Sequence, residues 1–559
     1  MTQEEHIKLE GAAKAAMART RSRLTIATGA FVIAFAILFG RLVEVTMLRE
    51  SVERKTARVE DNVSYYRADI VDRNGEILAT DLQAASLYAD ARVIWDPAET
   101  AQALQSIVPG LDVPALTKKL ATRQAFVWIK RNLPPRQQEA VRQLGMPGLH
   151  FRNEPRRVYP NGRTAAHALG YVSVDNHGLA GVERGSEELI LERRNHGGLV
   201  ELALDLRVQH ALQDELESAI ATFRAHAASG IVLDVNSGEI LALCSLPDFD
   251  PNEPAAAARD ALFNQATLGV FEMGSTFKTF TTAMALETNK VTLASQFDAT
   301  NPITYGRFTI SDFHPENRLL TVPEIFVHSS NIGSAKMALE VGTTTQKAFL
   351  AKLGLLTPIA SEIKEAGTPL APKRWGELET MTVAYGHGIA ITPLHVAMAS
   401  AALVNGGRLV RPTLLKREEG AVVPFARVVS EKTSEQMRDL LRLVVTQGTG
   451  GKADVSGYPV AGKTGTAEKV SGNGYAHKSL LSSFMGVFPA RKPSYLVLIV
   501  LDEPQGTEAT AGFATAGWTA APTAAKVIAR IAPMLNVPVT PDDPQKSAPT
   551  TMASYEDLH

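Results

Sequence analysis

Ser275 and Lys278 form one of two serine–lysine pairs whose residue types could perform nucleophilic catalysis. Ser361 and Lys364 form the other. A serine hydroxyl is a weak nucleophile that needs a base beside it. A lysine can act as that base when burial or a neighbouring cation lowers its pKa. Both pairs have the spacing S-x-x-K, so their setting in the chain must decide between them.

Ser275 has the more favourable setting for catalysis. It follows Met273-Gly274 and opens an uninterrupted helical pattern, TFKTFTTAMALE. A hydroxyl at a helix N-terminus lies where the helix dipole and free N–H groups stabilise developing negative charge. Lys278 falls on the same helix face, which predicts that its amine reaches the Ser275 hydroxyl. Ser361 is predicted to be a helix cap, with Glu362 supporting the first turn.

Residues 457–464 fit two different chemistries. They match the phosphate-binding pattern G-x-x-x-x-G-K-[ST], and residues 496–503, LVLIVLDE, imitate the acidic strand that accompanies it. A phosphate-binding loop follows a buried strand and opens a long helix. Here a loop-like stretch precedes the segment, and Ser471-Gly472-Asn473-Gly474 follows too soon for a long helix. A nucleotide-hydrolysing enzyme is therefore not favoured.

The same segment contains Lys463-Thr464-Gly465, which matches the third motif of the serine penicillin-recognising enzymes. Their first motif is S-x-x-K, and their middle motif, S-x-N, is expected between the other two on a loop that joins two helices. Ser329-Ser330-Asn331 lies there. Ser471-Gly472-Asn473 also matches but follows Lys463, so we interpret it as a turn. Each motif alone is a weak indication, but their shared order and setting strongly favour a serine acyl-transfer site.

Periodicity outlines the elements that must position these residues. An amphipathic helix is predicted over residues 207–222, and two strands within 230–247 flank the hairpin turn Asn236-Ser237-Gly238. Helical patterns then continue until three late strands, PVAGKTGTA, SFMGVFPA and SYLVLIVLDE, and a last helix over 520–531. This order of elements describes an α/β or α+β domain.

Length, composition and charge exclude several classes of protein. The 559 residues predict roughly two to four domains, and 45% hydrophobic residues are too many for a mostly disordered chain. The 57 Lys and Arg nearly balance 59 Asp and Glu, which argues against a nucleic-acid-binding protein. Cys244 is the only cysteine and the histidines show no i,i+4 pair, so no metal or other cofactor is predicted. The absence of a G-x-S-x-G motif argues against an α/β-hydrolase.

An apolar segment near the N-terminus predicts a membrane anchor. Residues 24–40 are seventeen residues without a charge, and continuation to residue 44 lengthens the helix if Arg41 and Glu44 reach the interface. A buried core helix and a cleaved signal peptide are the alternatives. The A-x-A sequence at 34–36 lies inside the apolar run, where cleavage is not expected. We predict a cytoplasmic tail over 1–23, an uncleaved signal anchor over 24–44 and a catalytic domain outside the cytoplasm. Basic residues flank both ends of the span equally, so their count does not set this orientation.

With these features together, the chain resembles a class B penicillin-binding protein, a peptidoglycan D,D-transpeptidase. Residues 67–75, RADIVDRNG, resemble the R-G-x-I-x-D-R-x-G box of the family's non-catalytic module, with Ala68 in place of glycine. Residues 157–162, RVYPNG, and 178–183, GLAGVE, resemble its later boxes, and Tyr385-Gly386-His387-Gly388 resembles its Y-G-x-G segment. Turn chemistry and local packing are the alternative explanation for these boxes.

The resemblance implies a fold and a division of the chain. Residues 201–535 would form an α/β (α+β) serine penicillin-recognising transpeptidase domain with an antiparallel sheet flanked by helices. An elongated, non-catalytic pedestal module would occupy 45–200, and the prolines of 536–559 predict a disordered tail. One anchor, a module of this length and the lack of a glycosyltransferase domain favour the septal (penicillin-binding protein 3) type over the elongation type.

The resemblance also implies a role for each site residue. Ser275 would attack the carbonyl of the penultimate D-Ala in a stem pentapeptide and release the terminal D-Ala. The other implied catalytic residues are Lys278 as base, Ser329 as proton relay, Asn331 as a ligand of the substrate amide and of Lys278, and Lys463 as a positive charge. For the substrate, Thr464 and Thr466 would bind the terminal carboxylate, Gly465 would leave room for its backbone, and the N–H groups of Ser275 and Thr466 would form the oxyanion hole.

The implied partners follow from this chemistry. They are stem peptides, the membrane, other membrane proteins of a division complex including a glycosyltransferase, and β-lactams, which mimic D-Ala-D-Ala and would acylate Ser275. A β-lactam sensor, an idle division scaffold and a β-lactamase are alternatives. A β-lactamase of the best-known class needs an additional glutamate for deacylation. Glu324 and Glu362 are present, but we interpret them as solvated helix surface.

Overall fold

The computed structural model describes residues 25–26, 28–39, 66–471 and 474–540. The chain divides into two units, Met1–Ser64 and Tyr65–His559. In the first unit, residues 28–39 are helical and exposed. Within the described ranges, the helices lack the combination of length and apolar character that a bilayer crossing requires. The predicted anchor over 24–44 and the predicted tail over 536–559 both extend onto residues outside these ranges.

The second unit begins with a sheet of short and long strands. They are β1 (Ile70–Val71), β2 (Ile77–Ala89), β3 (Val127–Leu133), β4 (Leu149–Val158) and β5 (Val200–Glu201). The strand order is β3-β2-β1-β5, and β4 also pairs with β2. The predicted turn at 72–75 joins β1 to β2. The Asp72 carboxylate stabilises this turn by accepting the N–H groups of Asn74 at 2.7 Å and Glu76 at 2.9 Å.

One face of this sheet is covered by helices α1 (Pro97–Ile107), α2 (Val113–Leu120) and α3 (Pro135–Gln143). The first two begin after aspartate N-caps, Asp96 and Asp112, and each has a proline in its first turn. Leu87 of β2 and Leu104 of α1 are fully buried between the sheet and the helices. This lobe therefore has an apolar core of its own.

Three further helices, α4 (Ala166–Leu169), α5 (Gly181–Gly185) and α6 (Glu187–Asn195), precede β5. We call described residues 66–201 the N-terminal module. Helix α5 connects this module to the rest of the unit, because the N–H of Gly181 donates to the Glu365 carboxylate at 3.1 Å and Arg184 pairs with the same carboxylate at 3.4 Å.

The boxes predicted around residues 67, 157 and 183 meet in one buried ionic cluster. Glu183 accepts hydrogen bonds from Arg67 at 2.8 Å and from Arg157 at 2.6 Å, and Arg157 also reaches Asp81 at 3.1 Å. The side chains of Arg67, Arg157 and Glu183 expose no surface to solvent. Turn chemistry therefore does not by itself explain these boxes, since their charged side chains join β2, β4 and α5.

The chain from residue 202 is built on a second sheet. Its strands are β6 (Ala227–Asp234), β7 (Ile240–Leu246), β14 (Ala461–Ser471), β15 (Gly474–Phe488) and β16 (Tyr495–Asp502). Their order is β14-β15-β16-β6-β7, with antiparallel pairing throughout. Helices α7 (Leu206–Phe223) and α15 (Ala520–Met534) pack against one face. The predicted hairpin at 236–238, late strands, two helices and antiparallel sheet are confirmed.

The helices that position the candidate site pack on the other face. They are α8 (Lys278–Glu287), α9 (Val322–Val327), α10 (Asn331–Val341), α11 (Thr343–Lys352), α12 (Glu377–Ala384), α13 (Pro393–Val404) and α14 (Glu431–Gln447). Small strand pairs join them: β8 (Gln296–Asp298) with β11 (Leu319–Thr321), β9 (Ile303–Tyr305) with β10 (Phe308–Ile310), and β12 (Arg408–Val410) with β13 (Phe425–Arg427). Helix α8 is buried from Lys278 to Leu286, so it is the central helix of this layer.

The structure overturns the helical settings proposed for Ser361 and Glu362. Ser361 lies outside any helix, and its hydroxyl accepts the N–H of Ile363 at 3.2 Å in a local turn, so the predicted helix cap is wrong. Glu362 is not on a helix surface either, because it accepts the N–H of Leu414 at 2.8 Å. Glu324 closes the first turn of α9 as part of a capping box.

Residues 461–471 form strand β14 rather than a loop that opens a helix. Backbone N–H groups arranged to cradle phosphates at a helix N-terminus are thus not available at Lys463. The nucleotide-binding interpretation of this segment is excluded.

Candidate active site

Ser275 lies in a tight 3₁₀ turn, Gly274–Phe277, that leads into α8. Its side chain is partly exposed. Gly274 has a φ of +51°, and a Cβ there would lie 2.5 Å from the carbonyl oxygen of Thr466 on β14. Because only glycine tolerates both the left-handed backbone and this close approach, the turn can lie directly against the edge strand of the sheet.

Lys278 is the first residue of α8 and is only 1% exposed. Its amine donates to the hydroxyl of Ser329 at 3.1 Å and also to the carbonyl oxygen of Ser329. The predicted hydrogen bond to Ser275 is not among the bonds that this amine makes. Ser275 belongs to the turn before the helix, so the regular helical geometry assumed for the pair does not apply.

Ser329 lies in the short connection between α9 and α10 and has a φ of +58°. This left-handed conformation is uncommon for serine and needs support from its surroundings. Asp312 supplies that support: its carboxylate accepts the Ser330 hydroxyl at 2.7 Å and the N–H groups of Asn331 at 2.5 Å and Ile332 at 3.0 Å. Asp312 belongs to no recognisable motif and lies in a loop eighteen residues before Ser330, so the sequence pattern did not indicate it.

Lys463 brings the third motif to the same serine. Its amine donates to the Ser329 hydroxyl at 3.1 Å and to the carbonyl oxygen of Thr464 at 3.2 Å, and it lies 5.9 Å from the ring centre of Phe326. The Ser329 hydroxyl therefore contacts the amines of both Lys278 and Lys463. The structure thus unites the three predicted motifs at one oxygen atom.

Burial determines the electrostatics of the two lysines. Burial and the nearby charge of Lys463 hold the pKa of Lys278 well below its usual value, although Asp312 opposes this shift. Burial lowers the pKa of Lys463 to about 7. Both amines can therefore lose a proton at a far lower pH than an exposed lysine, which makes each a candidate general base.

The residues after Lys463 have contacts that sequence analysis did not anticipate. The Thr464 hydroxyl lies 2.6 Å from that of Thr449, and the Thr466 hydroxyl accepts the N–H of Ala516 at 3.1 Å. A Cβ on Gly465 would lie 2.2 Å from the Thr276 hydroxyl oxygen. Gly465 is therefore required for packing against the turn that holds Ser275, whereas the sequence assigned its small size to the substrate.

The position of Asn331 also differs in part from the prediction. It is the first residue of α10, directly after the Ser329-Ser330 connection. Its side-chain amide nitrogen donates to the carbonyl oxygen of Ser311 at 2.9 Å, and the hydrogen bonds of the Lys278 amine go to Ser329 and not to Asn331. The loop that carries Asp312 therefore also fixes the side chain of Asn331.

The Y-G-x-G segment packs against the turn that holds Ser275. A Cβ on Gly386 would lie 2.2 Å from the carbonyl oxygen of Gly274, and the Gly388 N–H donates to Glu272 at 2.9 Å. The rings of Tyr385 and His387 meet edge to face at 5.1 Å. Burial and the charge of Lys278 lower the pKa of His387. Beside this segment, a cavity of about 510 Å³ is lined by residues including Phe271, Glu272, Glu468 and Leu481.

A partly exposed serine on a turn, two buried amines with lowered pKa values and a bridging hydroxyl can together perform acyl transfer. This fold and this combination of motifs define a serine penicillin-recognising transpeptidase. Comparison with known families agrees with that class. A family described as the penicillin binding protein transpeptidase domain matches residues 228–528, and the penicillin-binding protein dimerisation domain matches residues 63–190.

The chain belongs to the penicillin-binding protein transpeptidase family, which confirms the predicted resemblance. It is 43% identical to a probable peptidoglycan D,D-transpeptidase FtsI of Caulobacter vibrioides, over 84% of this chain and 82% of the relative. It is 28% identical to the peptidoglycan D,D-transpeptidase FtsI of Escherichia coli, over 86% of this chain and 87% of the relative. A crystal structure of penicillin-binding protein 3 from Mycobacterium tuberculosis, complexed with aztreonam, superimposes with a TM-score of 0.67 at 25% identity, covering 85% of this chain and 97% of the other.

Proposed function

We propose that this transpeptidase cross-links peptidoglycan during septal wall synthesis and that Ser275 is its nucleophile. The observation that carries the proposal is the convergence of the three motifs, in which the Ser329 hydroxyl contacts the amines of Lys278 and Lys463 at 3.1 Å each. Similarity to relatives named FtsI supports the septal role over the elongation role.

Acylation begins when Ser275 loses its proton. Lys278 is the base, because burial and the nearby charge of Lys463 lower its pKa and so favour the neutral amine that can accept this proton. The Ser275 oxygen attacks the carbonyl carbon of the penultimate D-Ala, and the bond to the terminal D-Ala breaks. Ser329, which contacts both amines, passes a proton to the departing amine.

Strand β14 binds the substrate as an additional strand would bind to a sheet edge. The hydroxyls of Thr464 and Thr466 and the positive charge of Lys463 attract the terminal carboxylate. The N–H groups of Ser275 and Thr466 stabilise the oxyanion, and the loss of one such donor typically costs about 3–4 kcal/mol of activation free energy. Asn331 holds the substrate amide next to Ser275.

An amine from a neighbouring stem peptide completes the reaction by attacking the Ser275 ester, which forms the cross-link and frees the serine. A β-lactam acylates the same oxygen, but its adduct persists and blocks the enzyme. The first unit anchors the protein in the cytoplasmic membrane, and the catalytic domain lies outside the cytoplasm beside other membrane proteins of a division complex, including a glycosyltransferase.

Labelling with a fluorescent penicillin tests the nucleophile. The full-length protein, Ser275→Ala and Ser361→Ala are incubated with the probe and separated on a denaturing gel. We expect persistent label on the wild type and on Ser361→Ala, the second S-x-x-K serine, and none on Ser275→Ala. Label on Ser275→Ala would refute the assignment.

Release of D-Ala from a synthetic stem pentapeptide, with and without an acceptor amine, tests the transpeptidase step. We expect a cross-linked product that depends on the amine. Rapid turnover of penicillin without such a product would instead identify a β-lactamase, and stable labelling without the product would identify a sensor.

A further inference from the structure

The sheet of the N-terminal module carries a row of aromatic side chains on the face opposite to helices α1, α2 and α3. In the register of the sheet, Tyr88 of β2 lies directly opposite Trp128 of β3 and His150 of β4. Directly opposed residues project from the same face. The ring centres of Tyr88 and Trp128 are 6.2 Å apart, and those of Tyr88 and His150 are 5.4 Å apart.

Phe126 extends this aromatic row toward solvent. Its ring stacks on Tyr88 at 4.6 Å and meets the edge of Trp128 at 4.7 Å, and the residue is 41% exposed. His150 is exposed as well, whereas Leu87, which neighbours Tyr88 in β2, is fully buried under the helices. The row therefore belongs to the surface and not to the core of the lobe.

The lobe that carries the aromatic row is positively charged. Residues 77–158, from the start of β2 to the end of β4, contain 11 Lys and Arg against 7 Asp and Glu, an excess of four positive charges, whereas the whole chain has a net charge of −2. Arg131 lies over the Trp128 ring at 5.2 Å and is paired with Glu154 and Asp175, whereas Lys130 on the same strand is exposed. Such a local excess attracts an anionic ligand over distances of about a Debye length.

We propose that the aromatic row binds the peptidoglycan polymer itself, at a site separate from Ser275. Three strands at about 4.8 Å spacing give the row a length of about 10 Å, which matches two sugar rings. The apolar C–H faces of amino sugars stack on flat aromatic rings, and the carboxylates of the stem peptides are attracted to the positive lobe. The inference rests on the proposed function, because the polymer that the site would hold is the one that the enzyme cross-links.

Sedimentation with purified, insoluble peptidoglycan tests the proposal. The full-length protein is first acylated with penicillin, so that Ser275 cannot contribute to binding. Trp128→Ala is compared with Trp95→Ala, since Trp95 is 91% exposed but lies outside the row. Lys130→Glu is compared with Lys118→Glu, which reverses an exposed charge on α2, on the other side of the lobe.

We expect the dissociation constant for peptidoglycan to rise at least tenfold in Trp128→Ala and about threefold in Lys130→Glu, with both controls unchanged. Glycan strands stripped of stem peptides should retain the Trp128 effect and lose the Lys130 effect. Equal binding by all four variants would refute the proposal. A Trp128 effect on vesicles of anionic phospholipid without one on peptidoglycan would also refute it and assign the surface to the membrane.

The rate of penicillin acylation separates this proposal from the function on which it rests. It should be the same in all four variants, because the row lies in the N-terminal module. Loss of labelling in the wild type would contradict the assignment of Ser275 whatever the sedimentation result. Lys130→Glu changes an exposed side chain, so it decides the question even if Trp128→Ala does not fold.

Discussion

Two groups of buried cationic side chains, one in the N-terminal module and one beneath Ser275, have opposite kinds of partners. In the module, Arg67 and Arg157 both bond to the Glu183 carboxylate, at 2.8 Å and 2.6 Å. Under Ser275, the amines of Lys278 and Lys463 donate hydrogen bonds only to neutral oxygens. Both amines donate to the Ser329 hydroxyl. Both groups are almost completely shielded from water.

The partners decide whether a buried cation keeps its charge. Burial alone would lower the pKa of Arg157, but Glu183 and Asp81 raise it above its usual value, so this cation stays charged and structural. Burial without a bonded carboxylate lowers the pKa values of Lys278 and Lys463, which makes them reactive. The ionic cluster therefore stabilises the module, whereas burial of the two lysines costs stability and provides an amine that can act as a base.

Substitution of Lys278 by methionine should have the largest effect on reactivity. We expect Lys278→Met to slow acylation by penicillin about 10³-fold, because the base is lost. The melting temperature should stay the same or rise, since a buried amine is replaced by an apolar chain of similar length. Stopped-flow acylation and thermal unfolding measure the two effects, with the exposed Lys347→Met as the control. A large fall in melting temperature would show that the lysine pair is structural and would contradict the contrast with the ionic cluster.

Substitution of Glu183 by glutamine should have the opposite result. We expect Glu183→Gln to lower the free energy of unfolding by about 3–5 kcal/mol, because Arg67 and Arg157 are left buried without their shared carboxylate. The acylation rate of the folded fraction should not change. Denaturant unfolding measures the loss, and Glu188→Gln on the exposed side of α6 is the matched control. If both variants unfold at the same denaturant concentration, the cluster does not stabilise the module.

Addition of a single methyl group at Gly465 tests how tightly the two halves of the site are packed. The new Cβ would lie 2.2 Å from the Thr276 hydroxyl oxygen and 2.6 Å from the Met273 carbonyl oxygen. We expect Gly465→Ala to cost about 1–3 kcal/mol of stability and to slow acylation about tenfold, because the turn that carries Ser275 must shift. Gly451→Ala, where the nearest atom is 3.6 Å away, is the control. Normal acylation by Gly465→Ala would contradict this packing role.

The pH dependence of acylation should show the smallest and most specific effect. Lys278 must be neutral to act as a base, so the rate should rise with pH and level off above the pKa of Lys278. The charge of Lys463 lowers that pKa. In Lys463→Met the pKa of Lys278 should therefore rise, and the rising limb of the residual rate should move to higher pH. A limb that stays in place would show that the two amines do not interact.

Local sequence patterns predicted the elements well because short-range forces fix them. The turn at 72–75, helix α7, the hairpin of β6 and β7 and strands β14 to β16 are confirmed. Patterns failed where the surrounding fold, rather than local spacing, sets the partners of a side chain. Ser361 is buried in a local turn instead of capping a helix, and Lys278 bonds to Ser329, fifty-one residues away, instead of Ser275.

The sequence by itself determined the class of protein, since motif order and residue type carry the chemistry of Ser275, Ser329 and Lys463. Only the tertiary structure decided that the Ser329 hydroxyl joins both lysines, that Asp312 holds the loop behind it and that Gly465 serves the packing of the turn. It also decided that residues 67, 157 and 183 form one ionic cluster. The physical reason is that burial and distance set a pKa or a contact, and both depend on segments that the fold brings together from far apart in the chain.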